Sequence, residues 1–301
     1  MASATLERLR GTVGLWSYAH ESLAPARSGE LAALAESLGY TSYWLPESSG
    51  REAMVSATLL AQATSEIVIG TGIASIWARD AVASINGARS LASLSGGRFI
   101  LGLGVSHRPL VEGLRGHVYD KPLRAMETYL TAMEGISMRA PERADAPPIM
   151  IAALGPAMLR LAAAKADGAL PYLVTPEHTA LARDTMGPDA FLAVEQAVAV
   201  TTDDELFRTL AASHLEAYTG LPNYSRNWTR LGFAEADYVR GGSTRLQDAL
   251  VAHGTEEQIW ERVEAHFAAG ADHVCIQILG SDFAHPPLEG WARLSPTAAG
   301  R

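Results

Sequence analysis

The sequence predicts an α/β fold in which eight parallel strands close into a (β/α)8 TIM barrel, with an insertion before the last strand. Three observations carry that expectation. Short apolar runs alternate with longer amphipathic stretches, the pattern of repeated β-α units. The apolar runs are continuous, as in strands covered on both faces. Eight such runs fit within 301 residues, which suits one barrel of about 250 residues with additions.

The elements follow in order. Val13 to Ser17 reads as a strand, and Gly29 to Leu38 as a helix that stops at Gly39. Tyr40 to Leu45 is the second strand, followed by a helix from Met54 to Ala63. Ile67 to Gly72 is the third, and its helix, Ala81 to Leu94, closes at Ser95-Gly96-Gly97. Phe99 to Gly104 is the fourth, with a helix after a loop around Leu123 to Ile136. Pro148 to Ala153 pairs with a helix from Ala157 to Lys165. Gly168 to Leu173 precedes a helix from Pro176 to Thr185, opened by Thr175 ahead of a proline at the first helical position. Phe191 to Val200 is a long strand, followed by a helix from Glu205 to Tyr218. Thr255 is the N-cap of a helix reaching Ala268, and His273 to Leu279 is the last strand. Residues 220–243 break this rhythm with Tyr224, Trp228, Phe233 and Tyr238, and read as an insertion between the seventh and eighth strands. No linker rich in Pro, Gly or Ser divides the chain, so a single domain is expected.

Composition narrows the function. Hydrophobic residues make up 48% and charged residues 19%, ample for a core. A formal charge of −9 without a Lys/Arg cluster argues against nucleic acid or an anionic membrane as partner. Cys275 stands alone, which excludes an internal disulfide and a multi-cysteine metal site. No apolar run approaches the roughly 18 residues that span a bilayer, and the first ten residues lack a signal-peptide core. A cytoplasmic location is expected.

Barrel enzymes place their chemistry at the C-terminal ends of the strands. Those ends are Trp16 to His20, Pro46 to Ser49, Gly72 to Trp77, Gly104 to His107, Ala152 to Pro156 and Pro171 to Thr175. They hold one acid, Glu47, and two histidines, His20 and His107. No His-x-Glu, His-x-His or acidic cluster there has metal-ligand spacing, and no Gly-x-Ser-x-Gly or Walker loop is present. Gly102-Leu-Gly104 lacks the third glycine of a dinucleotide fingerprint. What remains is a broad, apolar, glycine-lined site, suited to a flat organic cofactor that brings its own chemistry.

Several segments together resemble the luciferase-like monooxygenase superfamily, within it the actinobacterial branch of coenzyme F420-dependent oxidoreductases. They are Tyr43-Trp-Leu-Pro-Glu47, the segment 70–79, Gly97-Arg-Phe-Ile-Leu-Gly-Leu-Gly104, Ile151-Ala-Ala-Leu-Gly-Pro156, Ala166-Asp-Gly-Ala-Leu-Pro171 and Ala269-Gly-Ala-Asp-His-Val274. The resemblance implies a non-proline cis peptide at a bulge in the third strand, matched here to Gly72–Ile73, with Ala74 following, behind the cofactor ring. It implies a phosphate on Ala153, Leu154, Gly155 and Pro156, where helix N–H groups suit an anion. Gly104, Val105, Ser106 and His107 would line the ring.

Glu47 would contact the cofactor or act in catalysis; the alternative is an ion pair with Arg79 or Arg51. The next position often carries a catalytic histidine, and here it is Ser48. His107 occupies the place of a proton donor in some deazaflavin-dependent relatives and suits that role near neutral pH. Trp16, His20, Trp77 and Tyr119 are candidate walls of the substrate pocket. His273, at the start of the last strand, reads as structural, and Met126, Met133 and Met138 as core or interface.

The expected reaction is hydride transfer between F420 and a small organic substrate. Within the same fold the alternative is an FMN-dependent monooxygenase served by a separate reductase. A non-catalytic flavin-binding protein is the reading from another class, supported by Ser48. FMN ends in a short phosphate, whereas the longer F420 tail needs a partly basic groove; Arg79, Arg160 and Lys165 are candidates to serve either. The resemblance also implies a homodimer, with helices Ala53 to Ala63 and Ala81 to Leu94 as compatible surfaces.

Overall fold

The computed structural model describes residues 3–139, 146–281 and 285–300. Its strands are β1 (Thr12–Trp16), β2 (Ser42–Leu45), β3 (Val68–Thr71), β4 (Ala74–Ser75), β5 (Phe99–Gly104), β6 (Ile149–Ile151), β7 (Gly168–Ala169), β8 (Phe191–Ala199), β9 (Val251–His253) and β10 (His273–Ile278). All pair in parallel, and β10 joins β8 to β1, closing the sheet into a barrel. The closing register sets Thr12 beside His273 and Cys275 beside Glu195. The eight staves are β1, β2, the interrupted pair β3 and β4, then β5, β6, β7, β8 and β10. This is the (β/α)8 arrangement that the continuous apolar runs predict.

Two short strands were not legible in the sequence. β4 resumes the third stave after Gly72–Ile73 and pairs only with β5. β9 lies beside Ala197–Ala199 of β8. Because β10 occupies one edge of β8, β9 takes the other edge, beyond the short β7.

Three cores result. One fills the barrel, where Trp16, Trp44, Val68, Ile100, Met150, Leu170, Phe191, Ala193 and Cys275 meet, with Leu6 and Leu9 of the N-terminal segment among them. A second lies between the staves and the helices outside. A third packs Phe207, Leu215, Trp228, Phe233 and Leu246 against β8 and β9. The insertion is thus ordered around its own core: a helix at Pro222–Arg230, a 3-10 turn at Glu235–Tyr238 and a helix at Thr244–Leu250.

Local signals act as expected at several ends. Thr255 caps its helix through Gln258 in a reciprocal capping box. Gly39, past the helix at Pro25–Ser37, takes φ +86°, open to glycine without strain. That helix begins at Pro25, four residues before the sequence reading, since proline suits a first helical turn. His273 is enclosed at the N-terminal face, its Nε2 bonded to Ser42 Oγ at 2.7 Å, in the structural role expected of it. Among the described residues, no helix is long and apolar enough to cross a membrane.

Candidate active site at the barrel mouth

The third stave carries the site's central feature. The Gly72–Ile73 peptide is cis, at the position that the resemblance implies. Neighbours hold this bulge from both sides. Trp16, at the end of β1, donates its Nε1–H to Gly72 O at 3.1 Å. From the β2 side, Gly72 N donates to Leu45 O at 2.7 Å and Glu47 N to Ile73 O at 3.1 Å. A Cβ on Gly72 would stand 2.8 Å from Trp16 Nε1, and one on Gly104 would run into the Ile73 side chain. Glycine at both positions therefore lets Ile73 lie flat against β5, forming a ledge with Ala74 behind it.

Glu47 is fully engaged. Its Oε2 accepts from Ser75 N at 2.8 Å and from Arg79 Nη1 at 3.0 Å, while Oε1 pairs with Arg79 Nη2. The Arg79 alternative raised from sequence is thus the pairing found, and it joins the end of β2 to the far side of the bulge. Arg51 instead donates to the carbonyls of His20 and Leu23. Ser48 bonds through both its N–H and its hydroxyl to Glu21. His20, expected on a pocket wall, is only 1% exposed. Its ring lies between Ser17 O and Pro46 O at 3.2 and 3.1 Å, so it braces the ends of β1 and β2. Burial pulls it down to about 4, so it is uncharged at neutral pH.

The end of β5 turns through Val105, Ser106 and His107, with Ser106 in the left-handed region at φ 54°. Two predicted wall residues fix this turn. Trp77 Nε1 donates to Val105 O at 2.9 Å, and the Tyr119 hydroxyl to Ser106 O at 3.3 Å. His107 is half-buried, hydrogen-bonded to Asn223, with its ring centroid 5.7 Å from that of Tyr224. Burial lowers its pKa, which the Asn223 contact partly opposes.

Beyond β6, Gly155 is the N-cap of the helix Pro156–Lys165, following Ala153 and Leu154. The Arg230 guanidinium reaches over it, 3.5 Å from where a Cβ on Gly155 would stand. Lys165 is not near this turn. It ends the same helix, about 15 Å away by helical rise, and bonds Thr131 and Glu134. Arg79 is likewise committed to Glu47 and Glu52. Arg160 is exposed on the same helix, and the cation found over Gly155 comes from the insertion, which sequence reading passed over because helix-to-loop contacts leave no local signal.

Sequence reading also missed a cluster of phenols. Tyr18 OH lies 2.8 Å from Tyr218 OH, Tyr218 donates to Tyr172 OH at 3.3 Å, and Tyr172 donates to Gln277 Oε1 at 2.8 Å. Trp16 packs on Tyr18 and Tyr172, with centroids 4.5 and 5.3 Å away. The mouth is thus an aromatic floor beside a glycine ledge, with a cation and a helix N-terminus on its far rim.

A family model described as luciferase-like monooxygenase matches residues 11–273. The chain belongs to this family. One curated relative, from Mycobacterium tuberculosis, is named a coenzyme F420-dependent oxidoreductase; it is 28% identical over 183 residues, 50% of this chain and 52% of that protein. The chain spans about half the length of the curated relatives it matches. Two solved structures share the fold over nearly the whole chain. The coenzyme F420-dependent tetrahydromethanopterin reductase of Methanopyrus kandleri is 17% identical with a TM-score of 0.67, covering 94% of this chain and 97% of that one. The oxygenating constituent of 3,6-diketocamphane monooxygenase from Pseudomonas putida, solved with FMN, is 15% identical with a TM-score of 0.67, covering 94% and 96%. These relatives and neighbours carry the names of F420-dependent oxidoreductases and reductases and of an FMN-containing monooxygenase.

Proposed function

We propose that the chain transfers a hydride between the deazaflavin coenzyme F420 and a small organic substrate. The observation that carries this reading is the pairing of a glycine-cleared ledge with a cationic rim. Gly72 and Gly104 flank Ile73 at one side of the mouth, and Arg230 stands over Gly155 at the other. A flat ring fits the ledge. A phosphate fits the helix start at Gly155, and because Arg230 is exposed, an anionic tail can continue outward. The relative named for F420 supports the same choice.

When bound, F420 supplies a carbon that gives or takes a hydride. The chain's own residues orient the ring and handle the proton. In this reading Glu47 and Arg79 fix the ledge, while Val105 and Ser106 lie along the ring. His107, uncharged near neutrality, holds or accepts the proton at the mouth. A second copy of the chain is the proposed partner, across helices Ala53–Gln62 and Ala81–Leu94, where Val55 and Val82 are 53% and 50% exposed.

A side-by-side fluorescence titration of the protein with F420 and with FMN tests the cofactor. Micromolar binding of F420 with weaker FMN is expected. A preference for FMN would turn the reading to a monooxygenase with a separate reductase, and binding of neither would end it.

A further inference from the structure

Glu195 lies in the middle of β8, opposite Cys275 of β10 and one pleat above Ala193. Ala193 and Cys275 both face the barrel interior, so the two-residue period of a strand turns Glu195 inward as well. It is fully buried. Its Oε2 accepts from Leu173 N at 3.0 Å, and its Oε1 has no partner among the described residues. Burial pushes the acid up to about 8, opposed only by the Leu173 N–H, and no cation contributes. At neutral pH the side chain is therefore a carboxylic acid. Since Oε2 receives a hydrogen bond, the acid hydrogen belongs on Oε1. A buried O–H without an acceptor is costly and invites one.

The surroundings define what would supply that acceptor. Glu195 lies within electrostatic reach of Tyr172 and Tyr218, which floor the mouth, and of Tyr224 packed on Tyr218. Trp16 links this floor to the ledge, since it packs on Tyr172 and bonds Gly72 O. A second orphaned polar atom, His214 Nε2, belongs to a ring 6.3 Å from Tyr172. Aromatic walls and a neutral donor without a cation suit an uncharged molecule and leave a carboxylate unpaired.

We propose that Glu195 is a substrate-binding residue whose Oε1–H donates a hydrogen bond to a carbonyl or hydroxyl oxygen of a small uncharged substrate lying among Trp16, Tyr172 and Tyr218. The placement of substrate in this mouth rests on the hydride-transfer reading above; the acid itself does not.

The test is a difference infrared spectrum of the whole chain in heavy water at pH 7, with and without acetophenone as a neutral ketone probe. A carboxylic-acid C=O band that Glu195→Gln removes is expected, and acetophenone should shift it while lowering the probe's own carbonyl stretch. Glu195→Gln, whose amide still donates, should bind acetophenone within about threefold of the parent, and Glu195→Met at least about tenfold more weakly. Affinity should also fall about tenfold between pH 7 and 9, as Glu195 ionises. The other groups nearby keep their charge in that window: burial pushes Tyr18, Tyr172, Tyr218, Tyr224 and Cys275 up, and His214 down to about 4. The proposal is overturned if Glu195→Gln removes no acid band, if acetophenone fails to bind or leaves the band unmoved, or if Glu195→Met binds it as the parent does. Should the methionine variant not fold, the parent spectrum and Glu195→Gln decide. F420 titration of the same proteins separates the two readings, because loss of cofactor binding in the parent sinks the hydride-transfer reading and leaves the infrared result standing.

Discussion

Arg79 closes on Glu47 with both terminal nitrogens, and the side chains are only 10% and 5% exposed. The same carboxylate takes the Ser75 N–H, so one ion pair fastens β2 to the stave beside it. Removing Glu47 takes away the buried partner and leaves Arg79 only the more exposed Glu52. Glu47→Ala is expected to cost about 3–5 kcal/mol in urea unfolding, with weaker cofactor binding at temperatures where the fold survives. Arg79→Lys, which keeps the charge and loses the fork, should cost less. Equal stability of Glu47→Ala and the parent would refute the brace.

Stability should peak near pH 7, for reasons that pull in opposite directions. Burial holds His20, His214 and His273 down to about 4 and His266 to about 3. The unfolded chain protonates all four near 6.5, so between 6.5 and 4 it binds more protons than the native state. Their contribution is therefore full above 6.5 and is lost as pH falls, by up to about 1.4 kcal/mol per pH unit for each histidine. Glu195 has the opposite sign. It is protonated in the native state up to about 8 and ionises near 4.5 when unfolded, so its contribution fades as pH rises across that range. Urea midpoints from pH 4.5 to 9 should trace both limbs, and Glu195→Gln should flatten the alkaline one.

Gly104→Ala is a small change with a large expected effect. The added methyl meets Ile73 and must push it off the ledge. Overpacking of this kind costs about 1–3 kcal/mol. Cofactor affinity should fall at least about tenfold as the flat surface is lost. A crystal structure of the variant with Ile73 unmoved and binding unchanged would remove the ledge from the account.

Arg230 is exposed. Arg230→Ala should leave the unfolding midpoint within about 0.5 kcal/mol of the parent. Binding of the phosphate-bearing cofactor should weaken, and its dependence on salt should become shallower. Salt dependence identical to the parent's would place the phosphate elsewhere.

His107→Ala is expected to lower turnover by about 100-fold or more, while cofactor affinity stays within about threefold. If the pH profile of the parent shows no group titrating below 6.5, where the buried ring should ionise, His107 does not carry the proton.

The eight staves were legible because strands buried on both faces cannot hide their composition; Phe191 to Ala199 and Phe99 to Gly104 are nearly all apolar. β9 was not, since Val251–His253 follows the helix Thr244–Leu250 without a break in polarity. At the site, Gly72–Ile73 was reachable only through the family resemblance, as nothing in a Gly-Ile pair signals its geometry. Arg230 and the phenols converge from segments far apart in sequence, a tertiary matter. Glu195 is different. A lone acid inside an apolar strand is a visible anomaly, and attention confined to strand ends passes over it.

The stretch from Tyr218 to Arg230, the end of one helix and the start of the insertion, reaches four strand ends. Tyr218 meets Tyr18 past β1, Asn223 meets His107 past β5, Arg230 stands over Gly155 past β6, and Trp228 donates to Leu173 O past β7. If the proposed site is right, descendants of this fold cannot revise the taste for substrate and the grip on the cofactor's tail as separate traits. An exchange of residues 218–230 between cousins would carry both preferences across in a single graft, and leave the barrel beneath as it was.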